Sequence, residues 1–358
     1  LDVTVDEMGN IFGRRAGERA DAAPVLVGSH VDSQYSGGRF DGVIGVLGAL
    51  EVVESLSDAG EVTGRPIEVV SWTNEEGVRF QPDLLGSGVF SGRFDRDFAY
   101  SRADSEGVTV EEELERTGYK GEAPCEPREL HCYLELHIEQ GPYLDDNGLQ
   151  VAAVDGVFGF SWLEVTFEGM ANHAGPTPME MRRDAMVGAS DVIGAVRRLT
   201  ATGGDDLVGT VGSVDVWPDA INVVPERAEF TVDLRSAEDA TVESAVERVK
   251  REVEWAAERE GLDYECEHLM HVDAATFDEG CVETVTEAIR AGGYGVTRLT
   301  SGAGHDASYL DDVCPTAMVF VPSVDGVSHR ESEYTEWEDV VAGVETLGRA
   351  VRSKASEP

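Results

Sequence analysis

Positive charge is scarce in this sequence. Lys and Arg number 28 against 70 Asp and Glu in 358 residues, a formal net charge of −42, and lysine occurs only at Lys120, Lys250 and Lys354. Contact with a phosphate backbone needs clustered cations, so nucleic acid is excluded as a partner. Long apolar runs are also missing. None approaches the roughly 20 residues that a membrane-spanning helix needs. No basic-then-apolar leader opens the chain. The chain does start at Leu1 without methionine, and a preceding segment is expected. Cysteine is sparse: Cys125, Cys132, Cys266, Cys281 and Cys314 are odd in number and contain no CxxC pair. That speaks against a disulfide framework or a zinc–thiolate motif, and for a reducing cytoplasm.

The acids are spread over the whole chain, as in Glu111-Glu112-Glu113, Asp205-Asp206, Glu243, Glu247, Glu252, Glu254 and Asp311-Asp312. A functional acidic face would be local. Dispersal points instead to a surface adapted to high salt, where repulsion is screened, and so to a halophilic source.

The length allows two domains. Pro24–Ser29, Pro66–Thr73 and Cys132–Ile138 read as buried strands, and Gly42–Leu56 reads as an apolar helix. This alternation implies an α/β domain with a mostly parallel sheet. The pattern changes near Val157. Ser161–Phe167 and Glu226–Leu234 alternate as half-buried strands, with helical stretches at Arg183–Leu199 and Thr241–Glu258. In the second helix Val242, Ala245, Val246, Val249, Val253 and Ala256 form one apolar stripe. These elements predict a small α+β insert whose apolar face needs a partner, such as another subunit. The α/β pattern returns with a helix at Gly280–Ala291, a strand at Ala317–Pro322 and a helix at Glu336–Ser353. The expected organisation is therefore a discontinuous catalytic domain, residues 1–157 and 270–358, with a lid or dimerisation domain at 158–269. Residues 101–130 are charged and weakly periodic, and read as connecting structure.

Hard-ligand side chains gather at five turns: His30 and Asp32 in GSHVDS, Asp41 in GGRFDGVIG, Glu75 and Glu76 in TNEEG, His137 in ELHIEQG, and His329 in GVSHRESE. Each lies at or just beyond an expected strand end, where open α/β sheets form their sites. Imidazole with carboxylate and no thiolate suits zinc, manganese, cobalt or nickel. Singly, each has a plainer explanation. A lone histidine after a strand is more often a core residue, adjacent glutamates are usually a solvated turn, and Asp41 before Gly42 can be turn chemistry alone. The set outweighs its members. Neighbouring acids after a strand point in different directions, so one can ligate while the other faces a substrate.

These blocks, with HAGPTPMEMRRDA, INVVP, VDLRS, GAGHDA and VPSVDGVSHRESEYT, resemble the hydantoinase/carbamoylase branch of the dinuclear metallo-amidohydrolases across nearly the whole chain. That branch includes N-carbamoyl-L-amino acid hydrolases, allantoate amidohydrolases and β-ureidopropionases. Ser33 stands where the family often has Thr. The resemblance implies a metallopeptidase-like catalytic domain with two divalent ions per subunit. His30, Asp41 and His137 would hold one ion. Asp41, Glu76 and His329 would hold the other, with Asp41 bridging. Asp32 would hydrogen-bond the His30 imidazole and fix its tautomer. Glu75 would be the general base and then return its proton to the leaving nitrogen. The insert would supply His173, Asn222 and Arg235 to a carbamoyl or ureido substrate, with His173 and Asn222 arriving from the partner of a homodimer. Gln140 and Gly304 would line the same pocket. On the residues alone, Arg235 at a strand end is a salt-bridge partner; the resemblance makes it a fork for a substrate carboxylate. His305 fits either the pocket or a structural hydrogen bond, while His131, His268 and His271 lie outside the recognised blocks.

The implied activity is hydrolysis of N-carbamoyl-L-amino acids to the amino acid, ammonia and carbon dioxide. Allantoate amidohydrolase and β-ureidopropionase are the near alternatives. A dipeptidase or aminoacylase is more distant, because such relatives usually place a carboxylate where His137 stands. A non-catalytic metal-binding protein on the same fold would have been free to lose Glu75, which is present.

Overall fold

The computed structural model describes residues 1–202 and 207–357. Asp205 and Asp206 lie outside the described residues. The chain forms two compact units, Leu1–Gly156 with Thr276–Pro358, and Val157–Ala275.

The chain opens with β1 (Asp2–Val5), β2 (Ile11–Arg15), β3 (Val25–His30), α1 (Val43–Asp58) and β4 (Ile67–Trp72). Three short helices follow, α2 (Leu85–Ser91), α3 (Arg96–Tyr100) and α4 (Val110–Thr117), then β5 (Cys132–Ile138), α5 (Tyr143–Asn147) and β6 (Ala152–Val157). The second unit holds β7 (Gly159–Glu168), β8 (Asn172–His173), α6 (Ala185–Thr202), β9 (Val208–Trp217), β10 (Val223–Val224), β11 (Arg227–Ser236), α7 (Asp239–Glu260) and β12 (Asp263–Val272). The chain ends with β13 (Ala275–Thr276), α8 (Glu279–Gly292), β14 (Arg298–Ser301), α9 (Asp306–Leu310), β15 (Thr316–Val321) and α10 (Trp337–Ser356).

The main sheet runs β1-β2-β4-β3-β5-β15-β6, with β13 and β14 beside β6. Its middle strands β4, β3, β5 and β15 are parallel. β3, β5 and β15 are buried at every residue, as strands covered on both faces must be. The parallel sheet expected from the sequence is thus the centre of a larger mixed one. The antiparallel β1–β2–β4 edge and the antiparallel β6 are additions to it. β1 and β2 are short and part-exposed, and β6, though buried, is short and interrupted by Asp155 and Gly156, so these three carry too little apolar signal to be read from sequence. Residues 101–130 are more regular than expected. There α4 is started by a capping box between Thr109 and Glu112, and Val110 and Leu114 are its buried side. A groove of about 900 Å³ runs between α1 and α10, lined by Leu47, Val341 and Trp337 among others, and none of the candidate ligands lines it.

The second unit has more strands than its sequence suggested. Four form its sheet, in the order β12-β7-β11-β9. β11 alternates buried and less buried residues along its length, a sheet with one covered face. Leu163, Val165, Phe167, Phe230 and Val232 from that face pack in one core with α6 and α7. The apolar stripe of α7, Val242 to Ala256, lies in this core. It is therefore satisfied within the unit, and does not itself need a second subunit. β9 and β12 went unread because most of their residues are exposed and their alternation is weak.

Candidate metal centre

The parallel strands carry the candidate ligands to one edge of the sheet. His30 is the last residue of β3, Glu75 and Glu76 follow β4, and His137 is the last but one of β5. Asp41 precedes α1, and His329 lies on the connection from β15 to α10. Three residues here take left-handed backbone: Asn74 (φ 58), Gln140 (φ 58) and His329 (φ 56). Such positions persist only where their surroundings hold them, and they concentrate at functional sites. Asn74 is held by its own amide, which donates to the Phe80 carbonyl at 2.9 Å. Gln140 is held by its main-chain N–H on Ser323 Oγ at 3.0 Å.

Asp41 is the centre of the cluster and is buried. Its Oδ1 lies 3.2 Å from His137 Nε2 and 3.8 Å from His30 Nε2. Its Oδ2 lies 3.2 Å from His329 Nε2, which is 3.7 Å from Glu76 Oε2. Ligand atoms of His30, Asp41 and His137 fall within 4.8 Å of one another, as do those of Asp41, Glu76 and His329. One carboxylate thus belongs to two ligand sets. His30, Glu75 and Glu76 also meet within 4.8 Å, and of the two glutamates it is Glu76 that reaches Asp41 and His329.

The donor set fits divalent ions. His30 Nδ1 stands 3.0 Å from the Asp32 carbonyl and His137 Nδ1 2.9 Å from the Ile138 carbonyl. Carbonyls only accept, so each Nδ1 is assigned the proton and each Nε2 is turned toward Asp41. His30 Nε2 and Glu76 Oε1 are buried without a hydrogen-bond partner. A buried polar atom left unpaired costs about 1–3 kcal/mol, and a metal ion at each of the two sets would satisfy them.

The electrostatics agree. Burial alone would raise Asp41, but hydrogen bonds from His137 and His329 hold it far below the ordinary carboxylate range. Burial disfavours the charged form of His30, yet Glu75 and Asp32 outweigh it and push the imidazole well above its ordinary value. Burial also works against charge on His137, and its hydrogen bond with Asp41 overcomes that. Burial raises Glu75 well above an ordinary glutamate, opposed by His30 and reinforced by Glu76. A carboxyl whose pKa is lifted by a dry, acidic setting is suited to exchange protons near neutral pH.

Asp32 divides its contacts between the imidazole and the next loop. The His30 imidazole bonds to the main-chain oxygen of Asp32, while the Asp32 carboxylate stands 3.6 Å from Nδ1. That carboxylate instead accepts the main-chain N–H groups of Glu75 and Glu76, at 3.3 and 3.1 Å. Two residues past a strand end the chain has turned, so carbonyl and side chain diverge. Asp32 fixes the loop that carries both glutamates.

Gln140 reaches the cluster directly, with Nε2 3.0 Å from Asp41 Oδ2 and 3.3 Å from His329 Nε2. Gly304 lies before α9, with open space where a β-carbon would stand. His305 is buried beside the cluster, its ring 4.5 Å from that of His137 and its Nε2 2.8 Å from Ser301 Oγ. It serves the structural hydrogen bond and packs on a candidate ligand as well. Within the second unit, His173 is exposed and paired with Val223, next to exposed Asn222. Arg235 lies 5.4 Å over the Phe160 ring and donates to Asp233 at 2.9 Å. The salt bridge anticipated from sequence is therefore present. His131 pairs with Glu357, and His271 with Ser161 and Asp273.

Two buried carboxylates at the site had not stood out in the sequence. Glu135, within β5, accepts from Ser29 Oγ at 2.6 Å, Tyr133 Oη at 3.1 Å and Ala307 N at 3.2 Å. A charged residue in an otherwise apolar strand was its signal. Glu333 accepts from two separate loops, and its only signal was a place four residues after His329.

A family model described as peptidase family M20/M25/M40 matches residues 26–353. An N-carbamoyl-L-amino-acid amidohydrolase from Rhizobium meliloti is 42% identical over 355 residues, covering 99% of this chain and 85% of its own. One from Geobacillus stearothermophilus is 39% identical, covering 98% and 86%. Among solved structures, a hydantoinase/carbamoylase family amidase from Burkholderia multivorans matches with a TM-score of 0.96 at 49% identity, over 100% of this chain and 87% of that one.

Proposed function

Because the chain belongs to peptidase family M20/M25/M40, we propose that it is a metal-dependent amidohydrolase cleaving the carbamoyl C–N bond of N-carbamoyl-L-amino acids. The products are the amino acid, ammonia and carbon dioxide. The observation that carries this reading is Asp41, shared between two histidine-containing ligand sets, in a chain 42% identical to an enzyme of that name. Divalent metal use rests on the family and on those clusters. Two ions per subunit, zinc or manganese, cobalt or nickel, is the finer form. His30, Asp41 and His137 would hold one, and Asp41, Glu76 and His329 the other.

Bound there, such ions lower the pKa of water toward neutrality and polarise the scissile carbonyl. The protein does the rest. Glu75, dry and lifted in pKa, takes the proton of the attacking water and returns it to the leaving nitrogen. Asp32 holds Glu75 and Glu76 by their peptide N–H groups. Arg235 receives the substrate carboxylate in a bidentate fork. Its neighbour Asp233 aligns the guanidinium until then. His173 and Asn222 bind the carbamoyl group, and Gln140 and Gly304 line the pocket. The active form is a homodimer through the second unit, in which His173 and Asn222 serve the neighbouring subunit. Among the described residues no helix is long and apolar enough to cross a membrane. The five cysteines are free, which suits a reducing cytoplasm.

The test is ammonia release from a panel of N-carbamoyl-L-amino acids, allantoate and β-ureidopropionate. Activity should be abolished by a chelator and restored by manganese, cobalt, nickel or zinc. Turnover that survives verified metal removal defeats the mechanism, and preference for allantoate moves the assignment to that branch.

A further inference from the structure

Glu333 is buried, 1% exposed. Its Oε1 accepts the main-chain N–H groups of Phe40 and Asp41, both at 3.2 Å. Its Oε2 accepts from Ser328 Oγ at 3.1 Å and from the His329 N–H at 3.3 Å. One carboxylate thus ties together two loops, and its bond to Asp41 spans 292 positions of the chain. All four partners are donors, so both oxygens are used as acceptors. The fit is close, since a β-carbon on Gly38 (φ +148) would lie 3.0 Å from Glu333 Oε2 and 2.9 Å from Asp41 Cβ.

The tied residues matter more than the tie. Asp41 and His329 are two of the three members of one candidate ligand set. His329 is half-exposed and sits at φ 56, a conformation that an L-residue does not keep unaided. Its N–H on Glu333 is what fixes that conformation at the ligand itself. The other set is built differently: His30 and His137 stand on the central strands β3 and β5, buried on both faces. Rigid strands therefore hold one pair of imidazoles, while the loop-borne imidazole has a carboxylate in place of a strand.

We infer that Glu333 is a positioning residue for the metal that Asp41, Glu76 and His329 would hold, setting the distance between the Asp41 carboxylate and the loop-borne histidine. This rests on the metal reading given above. Glu333 belongs to neither of the two ligand sets that share Asp41. It acts by fixing two backbones before the ion arrives, so that little order remains to be imposed when it binds.

The experiment is zinc titration of the metal-free protein, with Glu333→Gln beside the parent. Glutamine keeps the volume but turns one acceptor oxygen toward the N–H groups as a donor, which releases one loop. The parent should take up two equivalents. In the variant one equivalent should keep its affinity, while the other weakens by about tenfold or more and passes faster to a chromogenic chelator. A merely structural role would lower the melting temperature of the metal-free protein and leave both affinities of the folded fraction alone. Two parent-like affinities overturn the inference and spare the metal reading, whereas a parent that takes up no zinc overturns both. If Glu333→Gln does not fold, Ser328→Ala, which removes one of the four donors, decides the matter: faster zinc release supports the inference, and parent-like release ends it.

Discussion

Gly42 stands against the imidazole of His30 so closely that a β-carbon on it would lie 2.3 Å from His30 Nε2. Gly42 also has φ 64, and its main-chain nitrogen stands 3.2 Å from His137 Nε2. The residue therefore sets a turn, approaches one candidate ligand and contacts another. Gly42→Ala should displace His30. Zinc affinity should fall by more than about tenfold, and the positive φ alone, which an L-residue adopts at a cost, should lower stability by at least about 1–2 kcal/mol. Thermal melting and zinc titration check this. An alanine variant with parent-like zinc binding would show that His30 is not a ligand.

Glu75→Gln separates binding from chemistry. Glu75 lies 3.5 Å from His30 Nε2, inside the cluster, but outside both sets that share Asp41. The amide keeps the shape and cannot take a proton. Turnover should drop by about 10²–10⁴-fold, while zinc content, measured by elemental analysis, stays that of the parent. A fully active variant removes the base assignment. An inactive variant that has lost its zinc makes Glu75 a ligand instead.

The candidate ligands are more legible in the sequence than their supports. Ligands are short motifs at strand ends, and His30, Asp41, Glu76, His137 and His329 come together in the folded chain although they are dispersed along it. Supports depend on where a backbone turns. Asp32 could be seen as an acid near His30, but only coordinates show that its carbonyl takes the imidazole and its carboxylate takes the next loop. Glu333 read as one acid among 70. The fold divides in the same way. β5, buried throughout and apolar except for Glu135 and His137, is legible with its ends. β9 and β12 were not, because strands with most residues exposed show no strong period-two pattern.

The metal-free and zinc-loaded proteins should respond oppositely to pH. His30 is raised above its ordinary 6.5, so its contribution to metal-free stability is complete below that pH and is lost as pH rises through the higher folded value. Asp41 is lowered from 3.8, so its contribution is present above that pH and is lost as pH falls through the folded value. These two groups should thus favour the metal-free fold most between pH 3.8 and 6.5, and Glu75, raised from 4.5 so that its contribution is lost as pH rises, moves the optimum toward the acidic end of that window. Zinc must displace the protons on the Nε2 atoms, so its binding at pH 7 should release protons and weaken toward pH 6. Titration calorimetry in buffers of different ionisation enthalpy measures the release. An enthalpy independent of buffer would show that the imidazoles are already neutral.

Charge makes the last prediction. With a formal net charge of −42, most acids lack a cation to face. Many of the pairs that form are surface ones, such as Arg290–Glu283, Arg352–Glu61 and Lys120–Glu111, while the buried Glu68 is shared by Arg14 and Arg128. Exposed pairs contribute little, with a median of about 0–1 kcal/mol each, so they cannot offset repulsion summed over the whole surface. Salt shortens the range of that repulsion, from about 10 Å at 0.1 M to about 3 Å at 1 M. Raising sodium chloride from 0.1 to about 2 M should therefore raise the melting temperature, and the rise should flatten once the screening length falls below the spacing of the acids. Potassium chloride should act alike, since the effect is screening and not a specific site. A melting temperature that is flat or falls with salt would mean that the acids are spaced well enough for water alone to manage them, and the high-salt reading of the composition would be wrong.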